Sequence, residues 1–368
     1  MSATFSAVIL DSASVSQIGR YQKNPHVKTP CGLQKLEMTS RITETSLNRT
    51  TNIPEFIIQG FAYFPDKYDG ILGTCFFCLY LMLAFGNIFI ILFVTYEKCL
   101  QRPTYIIFCN LAASDLGFGT TTLPTIIGRY WTSQAIISFN GCMTQMFFVH
   151  FLGSATSFLL GLMALDRFVA ICNPLRYPTL IKNSTIANLS LVSWIINLLV
   201  MAGLTAHLLT ATYCGPNVIA QCYCDHISLR RLACGDISSI KATITPVALT
   251  ILWGPFCFII FSYVAIIYSV MQISSKEARY KTFITCTPQL VIICLYYLPR
   301  TVVYLSQYLG FYFNNESRIL ITLIYSLFPA LMNPFIYCFR TKEIKERLMM
   351  RLKQRRVIGN VKNVAEKI

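Results

Sequence analysis

Charged residues are scarce in this chain of 368 residues. They make up 13% of it, whereas a soluble domain carries about 25%. Because 54% of the residues are hydrophobic and the mean hydropathy is +0.54, the composition indicates a protein whose solvent is lipid. Among the charged residues the acidic ones are fewer, with 16 acidic residues against 31 basic ones. The basic residues lie in short loops and at the C-terminal end, which is typical of membrane topology and argues against a nucleic-acid partner.

Motifs for metal binding and catalysis are also missing. The fifteen cysteines are scattered, mostly within apolar runs, and no two CxxC motifs occur together as a zinc site requires. We find no phosphate-binding loop and no nucleophile with a supporting base. The sequence therefore predicts neither an enzyme nor a resident cofactor or metal. It also lacks the inverted repeats that are typical of transporters.

Seven long stretches contain at most one charged residue each. They lie at 70–96, 103–128, 130–165, 183–224, 242–275, 282–315 and 319–339. A spanning helix needs about 20 apolar residues, and a helix satisfies its own backbone hydrogen bonds in lipid. We therefore expect an all-α membrane protein, a seven-transmembrane helix bundle over residues 70–340.

The short loops predict the orientation of this bundle. Those after the first, third and fifth stretches carry the basic residues Lys98, Arg102, Arg176, Lys182, Lys276, Arg279 and Lys281. The positive-inside bias makes these loops cytoplasmic, so residues 1–69 form an extracellular N-terminal tail. This tail has no signal-peptide pattern. Residues 1–37 resemble neither a domain nor a targeting element, and we expect Met38 to be an alternative or the true start.

The segment 341–368 has amphipathic spacing. Ile344, Leu348 and Leu352 recur every four residues beside basic side chains. This pattern predicts a short amphipathic cytoplasmic helix lying on membrane lipid. The alternative is a solvated basic tail.

Polar residues inside the apolar stretches form recognisable motifs. They are GN at 86–87, NLAASD at 110–115, MALDRFVAICNPL at 163–175 and PALMNPFIY at 329–337. In this order they resemble the signatures of rhodopsin-like G-protein-coupled receptors. Four longer segments narrow the resemblance to odorant receptors, namely LDRFVAICNPLRY, FSYVAIIYSV, KTFITCTPQL and NPFIYCFRTKEIK. Departures at Thr156, Pro288 and Gln289 suggest a divergent, fish-like or amphibian-like branch.

The resemblance implies a plasma-membrane receptor for a small organic odorant. It would activate a heterotrimeric G protein, of the stimulatory olfactory type that raises cyclic AMP, in olfactory sensory cilia. The alternatives are a rhodopsin-like receptor for another small molecule and, from a different class, a transporter or channel. An amine receptor should carry an acidic residue on the third helix near Val149, and the sequence has none there.

Family geometry places the ligand in the outer half of the bundle. The candidate ligand residues are Val149, His150, Gly153, Ser154, Ser157, Val247, Ile251, Tyr297, Arg300, Thr301 and Tyr304. Arg300 is the only basic residue deep in a span. It can clamp a ligand carboxylate, which would make the odorant acidic, or reach the outer interface and pair with Glu316. The residues leave both interpretations open.

The resemblance also implies the residues of activation. They are Asp166, Arg167, Tyr263, Lys281, Asn333, Pro334 and Tyr337, with Asn87 and Asp115 as a polar core that is a possible sodium site. The alternatives are an interfacial arginine at 167, a static proline kink at 334 and ordinary interhelical hydrogen bonds in the core.

Cysteines of the loop after the fourth span would lie in an oxidising compartment. Spacing alone leaves their pairing open. The resemblance implies Cys142–Cys224 and Cys214–Cys234, with Cys222 able to replace Cys224. The sequon at Asn48 lies in the outer tail and predicts a glycan, whereas those at Asn183 and Asn188 face the cytoplasm or the membrane.

Overall fold

The computed structural model describes residues 54–61, 65–133, 135–214, 216–236, 238–311, 313–340 and 343–351. The proposed glycan site Asn48, the alternative start Met38 and Leu352 lie outside these ranges. The following account concerns the described residues alone.

Seven long helices dominate this part of the chain, as the sequence predicts. They are α1 Asp69–Tyr96, α2 Pro103–Trp131, α3 Phe139–Cys172, α4 Asn183–Leu209, α5 Ser238–Met271, α6 Lys276–Tyr308 and α7 Asn315–Arg340. A further helix, α8, covers 343–351. The segments that connect consecutive helices are short, except the α4–α5 loop, which covers residues 210–237.

Helix α3 lies at the centre of the bundle, and α4 lies at its edge. Two thirds of the most apolar window of α3 (67%) is buried, against 17% for α4. Helix α3 packs against α2, α4 and α5. Large apolar side chains of α4, such as Leu191 and Leu199, are exposed at 58% and 66%. In a membrane this face meets lipid, which requires no polar partner.

The apolar character of the helices is uneven. Helices α1, α3, α4, α5 and α7 are each long and apolar enough to cross a membrane, and α6, bent by 43° between Thr287 and Gln289, counts as a sixth span. Helix α2 is not among them, since it carries Asp115 and the threonines 120–122. It packs between α1 and α3, where Asp115 and Thr122 are buried. The bundle, rather than lipid, therefore surrounds its polar groups.

The predicted extracellular tail contains a strand that the sequence did not reveal. Strand β1, Glu55–Ile58, is the centre of a three-stranded sheet, antiparallel to β2, Ile136–Ser138, and parallel to β4, Val218–Ile219. Its register pairs Ile57 with both Ile136 and Val218. A second pair joins β3, Thr212–Tyr213, to β5, Ala233–Cys234.

Alternation within β1 explains why this short strand is held. Phe56 and Ile58 point inward and are 0% and 1% exposed, while Glu55 faces solvent. The Phe56 ring lies 5.8 Å from the Phe139 ring and 6.1 Å from the Tyr213 ring, measured between centroids. Period-2 burial is the pattern of a strand with one face on a core. The strand thus joins the start of α3 to the α4–α5 loop.

Helix α8 attaches to the junction of α1 and α2. Ile344 is fully buried, while Lys345 and Arg347 are exposed. Arg351 Nε donates to Glu97 Oε1 at 2.6 Å, and the Tyr105 hydroxyl donates to Glu343 at 3.3 Å. The helix therefore has the apolar and basic faces that its spacing predicts.

Candidate ligand cavity and polar network

A cavity of about 420 Å³ lies at the end of the bundle that carries the disulfides. Helices α3 and α5 and the α4–α5 loop supply most of its wall, with contributions from α2, α4, α6 and α7. Seven predicted ligand residues line it, namely Val149, His150, Gly153, Ser154, Ser157, Ile251 and Arg300. Its volume suits a small organic molecule, since ligand pockets span about 300–1,000 Å³.

Three predicted ligand residues do not line this cavity, and a fourth is not described. Tyr297 is fully buried, and its hydroxyl lies 2.7 Å from Ser157 Oγ, so it packs between α6 and α3. Val247 on α5 does not line the cavity. The next two residues of the helix, Ala248 and Leu249, line it instead. Thr301 turns away, and its buried hydroxyl has no hydrogen-bond partner. The side chain of Tyr304 lies outside the described part of the structure.

Arg300 lies against the cavity wall between two tyrosines. Its guanidinium carbon is 4.2 Å from the ring centroid of Tyr296 and 4.9 Å from that of Tyr325. Its Nη1 donates to the Tyr296 hydroxyl, which in turn donates to the carbonyl of Gly153. A Cβ on Gly153 would lie 3.6 Å from Arg300 Nη2, an ordinary van der Waals distance, so the guanidinium lies directly against α3 at this glycine. The two ring faces hold the guanidinium in place by cation–π contacts.

The α4–α5 loop supplies cavity residues that sequence reasoning missed. Among them are Tyr223, Asp225, His226 and Arg230. The His226 amide donates to His150 Nε2 at 3.2 Å. Burial, His150 and Arg230 lower the pKa of His226 to about 3, so its ring is neutral at physiological pH. A usable signal was present, because a disulfide from Cys224 to α3 must place the residues beside Cys224 over the bundle.

Two disulfides fix that loop. Cys142 at the start of α3 is bonded to Cys224, with the Cα atoms 5.4 Å apart. Cys214 is bonded to Cys234, with a Cα separation of 5.8 Å. These are the pairs that the family resemblance implies. Cys222 is a free thiol that is 1% exposed, and burial raises its pKa to about 12.

A polar network lies deeper in the bundle, between α1, α2 and α7. Asn333 Nδ2 donates to Asp115 Oδ2 at 2.7 Å. Asn87 Nδ2 donates to the carbonyl oxygens of Leu83 and Ala330, at 2.9 and 3.0 Å. The structure thus brings Asn87, Asp115 and α7 together as expected. The Oδ1 atoms of Asn87 and Asn333 are buried without a hydrogen-bond partner.

Pro334 interrupts α7 beside this network. A Cβ built on Gly86 would lie 3.1 Å from both Cβ and Cγ of the proline ring. The ring is rigid, so α1 approaches α7 this closely only with glycine at position 86. Pro334 therefore defines the contact between these two helices as well as breaking the hydrogen-bond ladder.

Asp166 is held by three groups at the opposite end of α3. Its Oδ2 accepts from Thr104 at 3.0 Å and its Oδ1 accepts from Tyr177 at 2.8 Å. Arg167 Nε lies 3.8 Å from Oδ2. The carboxylate is 1% exposed, whereas the Arg167 side chain is 29% exposed. The pair ties α2, α3 and the segment after α3 together.

The tyrosines expected to act in activation are not hydrogen-bonded to this pair. The hydroxyl groups of Tyr263 and Tyr337 are buried, and neither has a hydrogen-bond partner. The Tyr337 ring stacks on Phe108 at 4.1 Å between centroids. Lys281 is exposed at the start of α6 and pairs with Glu277 at 2.5 Å. These residues occupy the end of the bundle remote from the cavity.

Comparison with known proteins identifies the class and then the family. The chain matches squid rhodopsin with a TM-score of 0.63 at 19% identity, over 80% of this chain and 88% of that one, so it has the fold of this seven-helix class. A family model described as "Olfactory receptor" matches residues 76–355. The chain belongs to the olfactory receptor family.

Individual relatives agree with this assignment. Human olfactory receptor 10A3 is 32% identical over 83% of this chain and 96% of its own length. Human olfactory receptor 52N2 is 36% identical over 75% and 85%, and mouse olfactory receptor 6Z7 is 34% identical over 82% and 95%. The relatives are receptors rather than enzymes, and they imply a multi-pass protein of the plasma membrane. The expected fish-like or amphibian-like branch is not confirmed, since these relatives are mammalian.

Proposed function

We propose that this protein is an odorant receptor in which a small organic ligand binds the cavity and a G protein binds the end that carries Asp166 and Arg167. The observation that supports this most directly is the path of α6. One helix supplies Arg300 to the cavity wall and Lys281 to the opposite end, with a 43° bend between them. A ligand that contacts Arg300 can therefore bias the position of the far end of α6.

The expected ligand carries an acidic group. Arg300 faces the cavity with two rings behind it, and a carboxylate can accept two parallel hydrogen bonds from a guanidinium. In an enclosed site such a bond is stronger than in water, since the effective dielectric is lower. A neutral odorant would form only the weaker class of hydrogen bond with Arg300.

Activation is a shift between two populations of the bundle. In this proposal the described conformation is the resting form, in which Asp166 holds α2 and the segment after α3, while the Tyr263 and Tyr337 hydroxyl groups have no hydrogen-bond partner. A buried polar group without a partner costs about 1–3 kcal/mol. A rearrangement that lets these two tyrosines bond would recover that energy. Ligand and G protein that favour the same form then strengthen each other's binding.

The proposed orientation places the disulfide end outside the cell. Disulfides persist in oxidising compartments, and both bonds lie at the cavity end. Helix α8, with Lys345 and Arg347 exposed, lies at the other end and suits anionic lipid of the inner leaflet. A glycan at Asn48 and a stimulatory olfactory G protein that raises cyclic AMP belong to the same proposal.

The network around Asp115 has a donor set that fits sodium. Its carboxylate and the two unpartnered amide oxygens of Asn87 and Asn333 are hard oxygen ligands. Among the described residues no cluster of three or more His, Cys, Asp or Glu side chains forms a metal site. The alternative role is interhelical bonding by the Asn333–Asp115 contact alone.

The test is cyclic AMP production in cells that express the receptor with an olfactory G protein. The panel should contain neutral odorants and carboxylic acids. We expect a response to acids that Arg167→Ala abolishes at equal surface expression, and that Arg176→Ala, a change at a nearby exposed arginine, preserves. An ion flux without G protein would instead support a channel. Responses confined to hormones or amines would support a non-olfactory receptor.

A further inference from the structure

The cavity carries positive charge at two separate levels. Arg300 lies deep, opposite Gly153. Lys241 and Arg230 line the cavity near the start of α5, where Lys241 is exposed and Arg230 Nη1 donates to Thr245 Oγ1 at 3.4 Å. Lys241 therefore marks the mouth of the cavity.

The separation of the two levels follows from helix geometry. Helices α3 and α5 both begin at the disulfide end, and they are in contact where Ser157 Oγ donates to the carbonyl of Ile251 at 3.3 Å. Along α5, Lys241 lies ten residues from Ile251 in the direction of the mouth. Along α3, Gly153 lies four residues from Ser157 in the same direction. At 1.5 Å per residue these distances are about 15 Å and about 6 Å. The backbone of Lys241 thus lies about 9 Å nearer the mouth than the level of Arg300.

The wall between these levels is mostly apolar, with His150 and Thr245 as polar members. Met146 and Val149 on α3 and Ile244, Ala248 and Leu249 on α5 line it. These side chains favour a hydrocarbon segment of a ligand, because its burial removes apolar surface from water.

Among the described residues that line the cavity there are these three cations and one carboxylate, Asp225. Asp225 Oδ1 accepts from the backbone amide of Ser228 as the cap of the loop helix His226–Leu232. Asp225 also interacts electrostatically with the buried Arg318 of α7. Asp225 thus has partners on the loop and on α7, and it also acts electrostatically on His150 in the cavity wall. His226, with its lowered pKa, adds no positive charge.

We infer that the ligand is an elongated amphipathic dianion. One carboxylate binds Arg300, a hydrocarbon segment crosses the apolar wall, and a second anionic group reaches Lys241 and Arg230 at the mouth. This inference rests on the proposed function, in that the same cavity is the odorant site. It narrows the ligand from any acid to a molecule with anionic groups at both ends.

The experiment measures binding to purified full-length receptor in lipid nanodiscs by the ligand-induced rise in melting temperature, which does not depend on signalling. The probes are α,ω-dicarboxylic acids of increasing chain length. Each is compared with its monomethyl and dimethyl esters, which keep the length and remove one or both charges.

The inference predicts an optimum chain length at which the diacid binds about ten- to a hundredfold more tightly than its monoester, since hydrogen bonds to charged groups are the stronger class. Lys241→Ala should weaken diacid binding and leave the monoester unchanged, so that the difference between the two becomes smaller while Arg230 remains at the mouth. Arg300→Gln should weaken both. Arg231→Ala removes an exposed charge of the same loop that does not line the cavity, and it should change neither.

Diacid and monoester affinities that are equal at every length would overturn the inference. So would an equal loss for both in Lys241→Ala, because that result indicates a structural role for the lysine. Lys241 is exposed, so this variant keeps the test valid even where Arg300→Gln fails to fold. A receptor that binds diacids as expected but raises no cyclic AMP would overturn the proposed function and leave the binding inference intact.

Discussion

Asn333 on α7 and Asp115 on α2 are joined by a 2.7 Å hydrogen bond in the centre of the bundle, 218 residues apart in sequence. Both side chains are buried, at 1% and 5% exposure. The contact fixes the position of α7 against α2, which is where the proposed activation signal must pass.

Each partner should therefore depend on the other. We expect Asn333→Ala and Asp115→Ala each to destabilise the receptor by about 1–3 kcal/mol, since each leaves a buried polar group without its partner. The double variant should lose less than the sum of the two. Melting temperatures of the purified proteins measure this, and strictly additive losses would show that the bond contributes nothing.

The contacts of Asp166 should restrain activation. Asp166→Asn removes the negative charge that Arg167, Thr104 and Tyr177 share. We expect a higher basal cyclic AMP level, with a smaller rise in Tyr177→Phe, which loses one hydrogen bond. Glu277→Gln is the control, because it breaks an exposed ion pair with Lys281 that should be worth less than about 1 kcal/mol. An unchanged basal level in Asp166→Asn would exclude the restraint.

The two neighbouring cysteines of the α4–α5 loop should behave differently. Cys224→Ser removes the bond to Cys142, and loss of a native disulfide costs about 2–5 kcal/mol. We expect low surface expression and loss of ligand binding. Cys222→Ser keeps both disulfides and should retain both properties. Surface labelling and ligand-induced stabilisation measure both properties, and a Cys224→Ser protein that retained them would mean that Cys222 can replace Cys224 as the partner of Cys142.

Strand β1 should contribute to the stability of the α4–α5 loop, which supplies part of the cavity wall. Phe56 is fully buried between Phe139 and Tyr213. Phe56→Ala should cost about 3–5 kcal/mol, as for other buried aromatic residues. Glu55→Ala changes the exposed neighbour and should have little effect. Thermal unfolding distinguishes the two, and a Phe56→Ala protein with unaltered melting temperature would show that the strand is dispensable.

Two glycines offer a matched test of helix packing. Gly86→Ala places a Cβ 3.1 Å from the ring of Pro334 and should destabilise the bundle by about 1–3 kcal/mol. Gly203→Ala meets nothing within 4 Å, so it should stabilise α4 by up to about 1 kcal/mol through helix propensity. Opposite shifts in melting temperature are expected, and shifts of the same sign would contradict the close contact of α1 and α7.

The sequence predicts the helices and the polar network well, for identifiable reasons. Long charge-free stretches have one solution in lipid, the helix, and Asp115 and Asn333 stand out because polar groups there need partners. The strand β1 escaped prediction because it is four residues long and its partners, Ile136 and Val218, are distant in sequence. Tyr297 was assigned to the cavity because spacing along α6 does not define which face meets the ligand.

The backbone groups that hold the sheet around β1 together are different from the loop side chains that line the cavity. Its strands are joined by backbone hydrogen bonds, such as those from Ile58 to Ala135 and from Gln59 to Ile219, which place few demands on side-chain identity. The loop side chains that reach the cavity, including Tyr223 and Ile227, can be exchanged while this frame persists. A receptor built in this way can acquire a new chemical preference through single substitutions among the loop residues that line its cavity, without first evolving a new fold.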